Sequence, residues 1–183
     1  CGYTKPQCTP ETVAVYIRDF LQKVTSQGGY GLRLFGVPNL LLVHFPTAAR
    51  IGQKYGWDSP TYSDAITSID NAIDQITKNY EEIFILDRTM FIVTGLHSGP
   101  LNHLIKKVKK GEAVALDPTV PFIAWGANVK KHQPISQPVT VLDAGATIMY
   151  ALGLETHTEW DSHAVKEIFQ VIPERRSTDN ELK

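Results

Sequence analysis

No stretch of this sequence reaches the roughly 20 consecutive apolar residues that a helix needs to cross a bilayer, so a transmembrane span is not expected. Charge of one sign is also missing. Eighteen Lys and Arg stand against 19 Asp and Glu, leaving −1 at pH 7, which gives no long-range attraction to nucleic acid or an anionic membrane. The one basic run, Lys106, Lys107, Lys109 and Lys110, reads as a solvated helix end. There is no Gly-x-Gly-x-x-Gly, no Walker sequence and no Gly-x-Ser-x-Gly elbow, which removes three common enzyme classes. Ser98 follows His97, but neighbours on a loop seldom face each other, so no serine nucleophile is assigned. Cysteine is scarce: there are two, Cys1 and Cys8. A small disulfide loop, two free thiols and a lipid-modified Cys1 all remain open. A disulfide favours an exported location, and the expectation is extracellular or cell envelope. With no signal peptide and no initiator Met, the chain reads as a processed or excised piece.

What the sequence does contain is ordinary soluble-domain material, 43% hydrophobic and 20% charged over 183 residues. That length suffices for one core. The expected division is an N-terminal segment with both cysteines at 1–9, an α/β domain at 10–172 and a polar tail at 173–183. Thr9 and Pro10 pair a capping hydroxyl with proline at the first helical position. Val13, Ile17, Phe20, Leu21 and Val24 follow at helical spacing, predicting a helix over 10–25. A glycine-rich connector at 27–31 leads to Leu40 to Val43, a continuous apolar run that predicts a central parallel strand over 39–45, covered on both faces. Residues 46–57 read as a loop. Ser59 and Pro60 repeat the helix-start device, and Tyr62, Ala65, Ile66, Ile69, Ala72, Ile73 and Ile76 form one stripe, with Asp64, Asp70 and Asp74 toward solvent.

Further strands are predicted at 89–94 and 120–125, the second closed by Gly126. A basic segment at 101–110 reads as a one-sided helix. A polar loop at 130–137 holds His132 and Pro134. A helix over 139–152 stops at Gly153, and 161–169 is a short amphipathic piece. Alternating strands and helices predict an α/β fold with a mostly parallel sheet and flanking helices.

The ordered segments PNLLLVHFP, GQKYGW, SPTYSDAITSIDNAI, LDRTMFIVTGLHSG, VPFIAWGANVKK and TVLDAGATIMYALGLETHTEWDSHAVKEIF resemble the alkaline phosphatase superfamily, in its type I phosphodiesterase and nucleotide pyrophosphatase branch, from about residue 37 to 169. The resemblance implies half of an alkaline-phosphatase-like sandwich, its C-terminal half. It also implies a two-metal, usually two-zinc, centre for ester hydrolysis, since paired cations stabilise both the attacking and the leaving oxygen. Aligned on Gly52, Lys54, Tyr55 and Gly56, the family's Asp falls on Ala49 and its His on Gln53. In the family's Asp-His-Gly after the next strand, Leu96 takes the Asp position and His97 keeps the His. The nucleophile belongs to the other half; Thr4 and Thr9 lack its setting, and His103 and His132 lack that of the family's later His.

Zinc is therefore expected for the family, while its ligands are largely absent here. His97 alone makes no site, because zinc takes about three or four cooperating ligands. His44 reads as a core or supporting histidine, Asp143 as a structural acid at a helix start, and His157 and His163 as exposed. Asp58 follows the loop on the solvated side. Catalytic and metal residues are accordingly assigned to none. The expected role is a non-catalytic, phosphodiesterase-like structural or binding module in a larger assembly. Self-association or another protein chain is expected to cover the missing half of the sheet. The alternatives are a scaffold half of a hydrolase completed by another chain, and an anion- or nucleotide-binding protein using helix N-termini.

Overall fold

The computed structural model describes residues 8–26, 36–96 and 119–171, and divides the chain into two compact units, Cys1–Asp87 and Arg88–Lys183. The first unit is helical. Helix α1 spans Pro10–Ser26, and the Thr9 hydroxyl accepts the Thr12 N–H at 3.3 Å. Pro10, Ala14, Ile17 and Leu21 form its buried face. That face is rotated from the expected stripe, since Phe20 is exposed. Helix α2 spans Thr47–Tyr55 and α3 spans Pro60–Glu82. At the start of α3, the Ser59 hydroxyl accepts the Tyr62 N–H at 3.2 Å and donates to the Gly56 carbonyl at 2.7 Å, satisfying one of the helix's orphan donors.

Both α1 and α2 pack on α3, which buries Ala65, Ala72, Ile76 and Tyr80 and leaves Asp64, Asp70 and Asp74 in solvent. The Ser68 hydroxyl donates to the Glu11 carboxylate between α3 and α1, and this bond holds the Glu11 carboxyl below its usual range against the opposing effect of burial. Helix α3 ends on a left-handed residue, Phe84, at φ 57°. Phe84 N–H bonds the Glu81 carbonyl at 2.9 Å and Ile85 N–H bonds the Tyr80 carbonyl at 3.1 Å, the paired closure that usually places glycine at this position.

The second unit contains the sheet. Strands β1, Met90–Thr94, and β2, Phe122–Gly126, pair antiparallel, with Met90 opposite Gly126 and Ile92 opposite Ala124. Met90, Phe122 and Ala124 face a core built on Val129, Val165, Ile168 and Phe169, while Phe91 and Trp125 stack on the other face at 5.0 Å. Helix α4 spans Asp143–Ala151. Its end repeats the closure of α3 with the residue that suits it: Gly153 at φ 71° bonds the Tyr150 carbonyl and Leu154 bonds that of Met149. Gly126, at φ 96°, turns the chain out of β2; a Cβ there would lie 2.3 Å from the Thr89 carbonyl oxygen. The polar loop at 130–137 is held by Glu167, whose carboxylate accepts Ser136 N–H, Ser136 Oγ–H and Gln137 N–H.

Three expectations are corrected. The described residues contain an antiparallel pair rather than a mostly parallel sheet. Both strands are apolar on both faces, so their composition carried no information on direction. Residues 39–45 form no strand, because an extended segment becomes one only through a hydrogen-bonded neighbour, and none lies beside it among the described residues. Residues 47–55 are a helix rather than a loop, stabilised by packing on α3 that local propensity does not reveal. The basic segment at 101–110, with His103, lies outside the described residues, as do Thr4 and the tail from 172.

Candidate functional site

Helix α2 carries the first pair of positions that the resemblance aligns with the family's metal site. Ala49 and Gln53 are four apart, hence neighbours on one helix face, with Ala49 half-buried and Gln53 exposed. Glycine is required one residue before Gln53. A Cβ on Gly52 would fall 2.5 Å from the Trp57 ring, so the ring seats against bare backbone there. Trp57 in turn meets Tyr62 edge-on at 5.4 Å, and Lys54 lies over the Tyr55 ring at 4.9 Å. The loop that follows α2 is thus built on aromatic packing. A methyl group and a neutral amide offer no anionic donor to a cation.

In the second unit, β1 delivers the chain through Gly95 to Leu96, which is 75% exposed. An isobutyl group there contributes nothing to ligation. His97 and Ser98 lie outside the described residues, as does Cys1. Cys8 is disulfide-bonded and buried. Among the described residues, no three His, Cys, Asp or Glu side chains cluster as a metal site.

The remaining titratable candidates are occupied or solvated. Asp143 is a buried carboxylate of the second unit. Its Oδ2 accepts Thr140 N–H at 2.7 Å and Thr140 Oγ–H at 2.8 Å; its Oδ1 accepts His163 N–H at 2.6 Å. Burial pushes this carboxyl up, but the His163 and Thr140 hydrogen bonds outweigh it and the net shift is downward. An acid with three protein donors on it is a structural brace, as expected. His157 and His163 are exposed, the former 3.9 Å from the exposed Glu159. His132 is exposed at φ 54°. His44 is exposed rather than core, because the segment that carries it pairs with no strand among the described residues.

One feature of the first unit was not anticipated. A cavity of about 350 Å³ lies between α1 and residues 41–46, lined by Cys8, Tyr16, Phe20, Leu41, Leu42 and His44 among others. Its signal was present in α1, whose apolar positions extend over a wider arc than one buried face.

The comparisons with known proteins bear on these positions. The family model for type I phosphodiesterase / nucleotide pyrophosphatase matches residues 10–178, nearly the whole chain. The chain belongs to this family. Among solved structures it is similar to one described as "Crystal structure of Ps i-CgsB", with a TM-score of 0.50 and 15% identity, covering 84% of this chain and 36% of that one. That likeness is one of fold, and this chain spans about a third of that structure's length. No curated protein matches. No helix among the described residues is long and apolar enough to cross a membrane.

Proposed function

We propose that this chain is a non-catalytic member of the phosphodiesterase family, serving a structural or binding role in a larger extracellular or envelope assembly. The observation that supports this reading is the chemistry on one face of α2, a methyl group and a neutral amide at the positions the resemblance aligns with the metal site. Ala49 and Gln53 share that face of α2, and Leu96 points an alkyl group into solvent after β1. Two-metal ester hydrolysis needs close cations held by deprotonated ligands, and His97 cannot supply that alone. The disulfide at Cys8 supports an oxidising compartment. The test is zinc content after equilibration with excess metal, together with hydrolysis of p-nitrophenyl phosphate mono- and diesters. The reading expects neither binding at stoichiometric level nor turnover; finding both ends it.

A second reading draws on the share of the structural relative that the chain covers, 36%. Further polypeptide would then supply a nucleophile and ligands to a site for which this chain is scaffold. Activity appearing only when a partner polypeptide is added distinguishes this reading from the first.

A further inference from the structure

We draw no further inference here: the strongest candidate, the apolar cavity of the first unit between α1 and the extended segment at 41–46, with Leu42 exposed beside it, carries nothing because nothing in the structure shows what covers it.

Discussion

The carboxylate of Asp143, at the first position of α4, accepts the backbone N–H of His163, 20 residues further on, at 2.6 Å. It fixes the return of the chain after α4 to the start of the same helix. Thr147 repeats the device one turn along: its hydroxyl donates to the Asp143 carbonyl at 2.6 Å and accepts Val165 N–H at 2.9 Å. These bonds place Val165 and Ile168 in the core of the second unit.

Asp143→Asn should therefore destabilise the protein by about 1.5–3 kcal/mol, the range for a hydrogen bond to a charged group, since the amide sets a donor against existing donors. The folded-state acid is depressed, so its contribution is fully present above the unfolded value of about 3.9 and fades as pH falls through the folded one. Urea denaturation of both proteins across acid pH should show the difference between them shrinking below about pH 4.

Phe84 takes a left-handed conformation at φ 57° with its side chain 88% exposed. Left-handed backbone costs an L-residue roughly 1–2 kcal/mol, which glycine avoids. Phe84→Gly gives up almost no burial, and glycine's larger unfolded-state entropy offsets part of the gain. A net stabilisation of about 0.5–1 kcal/mol is expected, read as a raised urea midpoint. Gly153 serves as the internal comparison; Gly153→Phe should lower it.

Gly52→Ala should act in the opposite sense to its effect in an ordinary helix. Alanine is normally the better helix former, but here the added Cβ meets the Trp57 ring at 2.5 Å. Overpacking of this kind costs about 1–3 kcal/mol. Tryptophan fluorescence should shift as Trp57 is displaced, alongside a lower midpoint.

The parts of the fold legible from sequence were those with local punctuation. Thr9 with Pro10 and Ser59 with Pro60 mark the starts of α1 and α3, and Gly153 marks the end of α4, because cap chemistry is decided within a few residues. The brace role of Asp143 followed from an acid at a helix start. Helix α2 was hidden, since Pro46 offers no capping side chain and Gly52 reads as a breaker until the Trp57 ring explains it. The direction of β1 against β2 was not legible because Phe91 and Trp125 make the second face as apolar as the first. The segment at 39–45 has the composition of a strand, but pairing is decided by neighbours and not by its own residues. At the candidate site, the placement of Ala49 and Gln53 on one helix face was not legible, because the helix that carries them was not.

Zinc titration of the purified chain by calorimetry, with bound metal quantified after dialysis, bears on all of this at once. The double variant Ala49→Asp, Gln53→His provides the contrast, because it places an anionic oxygen and an imidazole nitrogen four residues apart on α2. The wild-type chain should retain no stoichiometric zinc, whereas the double variant, holding two of the roughly three or four donors that zinc takes, should show weak added binding in the calorimeter. Two equivalents of zinc held by the unaltered chain would contradict the reading of a site whose donors have been replaced.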